Sequence, residues 1–226
     1  MRGVFVTGTD TGAGKTIVAT ALAATLTARG VRVAAYKPVV TGEPHPDAGW
    51  PPDHELLAAA TGSRSELVTP LRFGLAASPH LAAELAGTTI VPRALVDAAA
   101  AAAAGASVLV VEGVGGLLVP LALDYSVRDF ARDLGLPLVV AARPGLGTIS
   151  HTRLTVEAAR AAGLDVRAVV LTPWPEVPST MEQSNAQTIA HTCGVQVAFL
   201  PHVEHPEIGL LAAAAASLPV ERWLGP

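Results

Sequence analysis

One stretch near the start of the chain is built to hold phosphate. Gly8-Thr9-Asp10-Thr11-Gly12-Ala13-Gly14-Lys15-Thr16 follows the apolar run Val4-Phe5-Val6 and leads into an alanine-rich segment of helical character. Small residues let successive backbone N–H groups curl around an anion, and the helix N-terminus behind them adds a favourable dipole. Lys15 is then placed for the β- and γ-phosphates and the Thr16 hydroxyl for Mg²⁺. Five residues, not the usual four, separate Gly8 from Gly14, but the phosphate-contacting end Gly12–Thr16 is intact. The segment predicts a nucleoside-triphosphate loop.

Two more positions would complete a phosphoryl-transfer centre. Val108-Leu109-Val110-Val111 ends in Glu112, followed by Gly113-Val114-Gly115-Gly116. An acid at that place in a phosphate-loop protein lies near the metal, and glycines allow close approach of backbone to ligand. Ala35-Tyr36-Lys37-Pro38 ends another apolar run in an ammonium, which could neutralise charge developing on a transferred group and its acceptor. Lysine occurs only at Lys15 and Lys37, against thirteen arginines. A GC-rich coding bias accounts for that scarcity and for the alanine tracts Ala98–Ala104 and Ala212–Ala216. The two survivors mark places where a compact ammonium is needed instead of a planar fork. Asp53, after Pro52, reads either as a helix N-cap or as a second carboxylate on Mg²⁺. Gly145-Leu146-Gly147-Thr148-Ile149-Ser150 reads either as an anion-holding turn or as a plain capped connection. The seven histidines show no metal-ligand spacing, and Cys193 reads as a packed thiol.

These residues need a scaffold that gathers strand ends. Apolar runs at Gly3–Thr7, Val31–Tyr36, Val108–Val111, Pro137–Ala142, Val166–Leu171 and Val195–Leu200 are apolar on both alternating faces, as in strands covered on both sides. Helical segments are expected near Lys15–Arg29, Asp53–Ala60, His80–Ala86, Arg93–Ala104, Ser126–Leu134, Thr148–Ala162 and Thr180–His191. The alternation predicts an α/β fold, a mostly parallel sheet with crossover helices, in a single domain over residues 1–226. Gly8, Lys37, Glu112, Arg143, Thr172 and Pro201 each fall at a strand's carboxyl end, where open parallel sheets bind ligands. Thr41–Pro52, with four prolines, reads as a loop beside that edge.

Composition narrows the function classes. Half of the 226 residues are apolar and 15% are charged, the reverse of a disordered chain. A net charge of −4 without any Lys/Arg cluster leaves no face for nucleic acid. The lone Cys193 cannot form an internal disulfide. Asp10 and Lys15 follow the first strand too closely for a signal peptide, and Glu112 interrupts the longest later apolar stretch. The expectation is a soluble cytoplasmic protein without a membrane partner.

In order and spacing, Phe5–Thr11 through Gly14-Lys15-Thr16, Tyr36-Lys37-Pro38-Val39, Ser78-Pro79-His80, Val111-Glu112-Gly113 through Gly115-Gly116, and Leu146-Gly147 resemble the dethiobiotin synthetase family over nearly the whole chain. The longer phosphate loop is part of that family's pattern. The resemblance implies a P-loop NTPase-like three-layer sandwich and an ATP-dependent ligase of biotin biosynthesis. Its substrates would be CO₂ and 7,8-diaminononanoate, joined through a carbamate and a carbamic-phosphoric anhydride in a homodimer. By position, Gly12, Ala13, Gly14, Lys15, Thr16 and Ile17 would wrap the phosphates. Thr16, Asp53 and Glu112 would hold Mg²⁺, and Lys37, Lys15 and Thr11 would act in catalysis. Thr11, Lys37 and Thr41 would touch the diamine or carbamate, and the partner's Leu146–Ser150 turn, with Leu146, Gly147 and Ser150, would hold the tail carboxylate. Gly113, Val114 and Gly115 would border the nucleotide, with Thr172, Pro173, Pro201, His202, Val203 and Glu207 at base and ribose.

The chain departs from the family at three of these places. Thr172-Pro173 replaces a common Asn-Asp pair that reads adenine, so the nucleotide is ATP or another nucleoside triphosphate. Ser150 stands for an Asn, and Glu207 aligns across a one-residue gap. A partitioning-type switch ATPase is the main alternative. Its signature lysine would fall at Asp10, and the C-terminal stretch Ala212–Pro226 has one basic residue where such proteins often carry a membrane-binding helix. A cobalamin-pathway amide ligase would need a glutaminase domain for which the chain is too short.

Overall fold

The computed structural model describes residues 1–43 and 49–225. Along the chain run β1 (Gly3–Gly8), α1 (Lys15–Ala28), β2 (Val33–Tyr36), β3 (Val39–Thr41), α2 (Asp53–Thr61), α3 (Ser65–Val68), β4 (Leu71–Phe73), α4 (Pro79–Leu85) and α5 (Pro92–Ala102). They continue with β5 (Val108–Glu112), β6 (Pro120–Ala122), β7 (Tyr125–Ser126), α6 (Val127–Leu134), β8 (Leu138–Ala142) and α7 (Thr148–Ala161). The last are β9 (Val166–Trp174), α8 (Thr180–Cys193), β10 (Gln196–Pro201), α9 (Ile208–Ala214) and α10 (Val220–Trp223).

The six apolar runs seen in the sequence form one wholly parallel sheet in the order β10-β9-β8-β1-β5-β2. Alternation of side chains across the pleat sends neighbours to opposite faces. Val4 and Val6 join the layer of α1, α2, α9 and α10. Phe5 faces the other way, with Tyr36, Leu109, Val111 and Phe130 under α5 and α6. On that second face Val140, Val169 and Leu171 pack with Val156 of α7 and Ile189 of α8. Each such fully buried aliphatic or aromatic side chain contributes about 1.5–3 kcal/mol. Helix boundaries follow local chemistry: Pro79 and Pro92 open α4 and α5, and Ser126 and Ser179 form capping boxes with Asp129 and Glu182 at α6 and α8.

The order puts β1 between β5 and β8, and the chain leaves β1 on one side and returns on the other. This is the switch point at which a crevice opens beyond the strands' carboxyl ends. The phosphate loop leaves β1 there, and Glu112 closes β5 beside it, with Val6 in register with Glu112.

Some elements were not expected from sequence: the parallel ribbon β3–β4, the antiparallel ribbon β6–β7, and helices α3, α9 and α10. The expected Thr41–Pro52 loop begins inside β3 with Thr41, and its central part lies outside the described residues. Among the described residues no helix is long and apolar enough to cross a membrane.

Candidate active site

The phosphate loop is fixed from both ends. Gly12 and Gly14 take positive φ, 71° and 88°, conformations glycine reaches without steric cost. A Cβ on Gly14 would lie 2.4 Å from the Thr172 methyl, so the loop rests directly against the end of β9. Asp10 organises the first half: its Oδ1 accepts from the Thr11 N–H at 2.7 Å, and its backbone carbonyl accepts from Lys15 Nζ at 3.0 Å. Arg143, just past β8, approaches the Asp10 carboxylate at 3.7 Å. Gly115 comes close enough that a Cβ there would meet Thr11 Oγ1 at 3.7 Å. Thr11 and Gly12 are exposed, whereas Ala13 and Lys15 are buried. Burial lowers the Lys15 ammonium below the ordinary lysine range, with Glu112 and Asp53 opposing and Lys37 reinforcing the shift.

The second lysine reaches the same place from β2. Its backbone N–H donates to Val68 of α3 at 2.9 Å, which seats the residue past the strand end. The ammonium, 4% exposed, donates to Glu112 Oε1 at 2.6 Å and to Asp53 Oδ2. The Thr16 hydroxyl donates to the same Glu112 oxygen at 2.8 Å. Burial alone would depress Lys37, but attraction from Glu112 and Asp53 outweighs it and holds the group charged well above the usual lysine range. Burial also shifts Asp53 upward, but the Lys37 ammonium prevails and keeps its carboxyl below the ordinary carboxylate range. Asp53 is the first residue of α2 with Pro52 at the cap position, and no side chain caps the helix. Of its two sequence readings, capping is therefore set aside.

Thr16, Asp53 and Glu112 thus converge on one point with Lys37. A hydroxyl and two carboxylates are hard oxygen donors of the kind Mg²⁺ takes alongside substrate phosphates. Glu112 Oε2 is buried without a hydrogen-bond partner among the described residues, a lone-pair position that a cation would satisfy. The residues fit the ion.

The other expected positions divide into two groups. Thr172, Pro173, Pro201 and His202 gather at the neighbouring ends of β9 and β10, where the His202 N–H donates to the Trp174 carbonyl at 3.3 Å. Val203 lies in the core under α9, so its side chain is turned away from solvent, and Glu207 stands exposed at the start of α9. Ile17 packs against the core behind the loop, Val114 against the opposite layer, and Gly113 sits where a Cβ would crowd Val127 and Phe5. Thr41 ends β3. Leu146, Gly147 and Ser150 stand apart: Gly147, at φ 85°, starts α7, and the turn borders an open cleft with Ile149, Arg153, Leu154 and Glu157. Sequence reasoning missed Asp10's bonding and the contacts of the buried His54 with Glu43 and Arg72. Only the position of Asp10 inside the loop could have pointed to its role.

Comparison with known proteins places the chain in a family. A family model described as "AAA domain" matches residues 2–205. The chain is 41% identical over 221 residues to the ATP-dependent dethiobiotin synthetase BioD of Anaeromyxobacter dehalogenans (strain 2CP-C), covering 96% of this chain and 97% of that protein. It is 37% identical over 201 residues to the protein of the same name from Bacillus subtilis (strain 168), covering 87% and 85%. Among solved structures it is similar to a ParA family ATPase from Chlorobium tepidum TLS, with TM-score 0.55, 14% identity and 96% and 92% of the two chains covered. It is also similar to chloroplast FtsY from Physcomitrella patens, with TM-score 0.51, 15% identity and 94% and 64% covered. At such identity the two structures speak for the fold alone. The sequence relatives go further, for they share the chain's length and much of its sequence: the chain belongs to the ATP-dependent dethiobiotin synthetase family.

Proposed function

We propose that residues 1–226 act as one ligase domain that joins CO₂ to 7,8-diaminononanoate, with ATP, to give the cyclic urea dethiobiotin. One observation carries the reading: the buried Lys37 ammonium, held by Glu112 and Asp53 beside a phosphate loop whose own lysine is also buried.

In this reaction one amine adds to CO₂ and loses a proton, giving a carbamate. A carbamate oxygen attacks the γ-phosphorus, the bond to the β–γ bridging oxygen breaks, and ADP leaves. The second amine attacks the carbonyl carbon of the mixed anhydride. Phosphate departs with the C–O electron pair, and the ring closes with loss of a proton. No protein nucleophile is required; the demand is for positioning and for neutralising several negative groups at once. Lys37 would stabilise charge on the carbamate and the transferring phosphoryl group, with Lys15 on the β- and γ-phosphates and Thr11 at the acceptor. Thr16, Asp53 and Glu112 would hold Mg²⁺, which as a Lewis acid neutralises phosphate charge when bound. Gly12–Ile17 and Gly113–Gly115 would enclose the triphosphate. Thr172-Pro173, Pro201–Val203 and Glu207 would border base and ribose, with Val203 contributing backbone only.

Thr172 offers one hydroxyl and no amide, so the nucleotide reading is ATP or another nucleoside triphosphate. Thr41 would meet the diamine. Leu146, Gly147 and Ser150 would serve the partner's site in a homodimer, a reading supported by the place of Gly147 and Ser150 on a cleft that neither lysine lines. A cytoplasmic location goes with this biosynthetic role.

The test is ADP release from MgATP and bicarbonate with and without the diamine. We expect strong dependence on the diamine, and a product lacking one water relative to diamine plus CO₂. Indifference to the diamine would favour a partitioning-type switch ATPase. Against that alternative, the position of the signature lysine is taken by Asp10, whose side chain bonds within its own loop.

A further inference from the structure

Behind Asp53 a buried histidine meets two partly or fully exposed side chains that have no part in the reaction just described. His54, the second residue of α2, is 2% exposed. Its Nε2 stands 3.2 Å from Nη1 of Arg72 on β4, and its Nδ1 stands 2.9 Å from Oε1 of Glu43, just past β3. A guanidinium only donates, so Nε2 is the accepting nitrogen and the ring proton sits on Nδ1, the nitrogen that stands close to Glu43. Neither Nδ1 nor that carboxylate oxygen has a well-aligned hydrogen-bond partner among the described residues, so their mutual approach is what offsets the burial of both.

These contacts join two pieces of structure. Val40 and Arg72 are partners in the β3–β4 ribbon, and the N–H groups of Gly42 and Glu43 both donate to the Phe73 carbonyl, at 3.0 and 3.3 Å. Helix α2 begins without a side-chain cap. Its first turn is held instead by side chains at successive positions: Asp53 reaches Lys37, and His54 reaches the ribbon.

We propose that His54 is a positioning residue. Clamped between Glu43 and Arg72, it fixes the first turn of α2 so that Asp53 meets Lys37, Thr16 and the metal–nucleotide in a single geometry. The inference rests on the reading of Asp53 as a metal-side carboxylate. Residues that orient a metal's ligands commonly cost tenfold or more in metal affinity when removed.

The experiment compares ADP binding with and without Mg²⁺ by calorimetry, alongside melting curves, for the wild type, His54→Ala, His54→Gln and Glu43→Gln. His54→Ala should lose about tenfold of the Mg²⁺-dependent gain in ADP affinity and leave binding of metal-free ADP unchanged. In turnover kcat should fall while the KM for the diamine holds. Glu43→Gln should shift in the same direction, and His54→Gln, whose amide oxygen can accept from Arg72, should recover part of the loss. If His54→Ala fails to fold, Glu43→Gln decides alone. The proposal is overturned if the variants keep the wild-type Mg²⁺-dependent gain, or if metal-free ADP binding weakens equally. Wild-type ADP release that ignores the diamine would sink the ligase reading and leave the calorimetric comparison standing.

Discussion

A lysine enclosed by two carboxylates and a second lysine curled onto its own loop are held for different purposes. Lys37 keeps its proton because Glu112 and Asp53 outweigh the cost of burial, so it brings a fixed positive charge across the neutral range. Lys15 is depressed by burial and gains most from an arriving phosphate. Replacing Lys37 by Arg keeps the charge but spreads it over a plane too broad for the point between carbamate and phosphate that we propose for this side chain. Lys37→Arg should lower kcat by about 10²–10³-fold, the loss typical of removing one group aimed at developing charge, with little change in the KM for ATP. Steady-state kinetics checks this, and a variant retaining most activity would take Lys37 out of catalysis. Lys15 was legible in the sequence from the glycine-rich loop that carries it, Lys37 from the scarcity of lysine elsewhere, and Glu112 because it ends an apolar run. His54 was not: a single histidine on a helix carries no signal until the fold brings Glu43 and Arg72 to it.

At the scale of elements, the phosphate loop and the end of β9 act as one unit. Gly14 combines a left-handed backbone with contact against the Thr172 methyl, so a Cβ there meets both strain and a wall. The backbone strain alone is about 1–2 kcal/mol. Gly14→Ala should therefore weaken ATP binding by at least about tenfold, and adding Thr172→Ser, which removes the methyl, should restore only part of it. Calorimetric titration of ATP into both variants would show it; full recovery in the double variant would mean that the clash alone matters. The six sheet strands were readable because strands covered on both faces must be apolar throughout. The β3–β4 and β6–β7 ribbons were not, since two or three residues are too few to display an alternating pattern. Helix α9 was hidden in an alanine tract that coding bias explains equally well, while α3 and α10 span a single turn each.

At the scale of the molecule, strand order gathers residues from β1, β2 and β5 at one edge, with the turn after β8 on the same edge carrying an exposed Leu146. Leu154, on the next turns of α7, is 62% exposed and lines the same cleft as Gly147 and Ser150. If a second copy covers this face, Leu154→Glu should yield a monomer by analytical ultracentrifugation. It should still bind ATP, but its KM for the diamine should rise about tenfold or more, as expected when a charged hydrogen-bonding contact to the tail is lost. An unchanged dimer would move the interface elsewhere. The burial of both lysines has a further practical meaning. With no ε-amine at the surface, an acylating reagent that marks a lysine side chain has entered the phosphate crevice, and the extent of marking becomes a gauge of how often that crevice stands open.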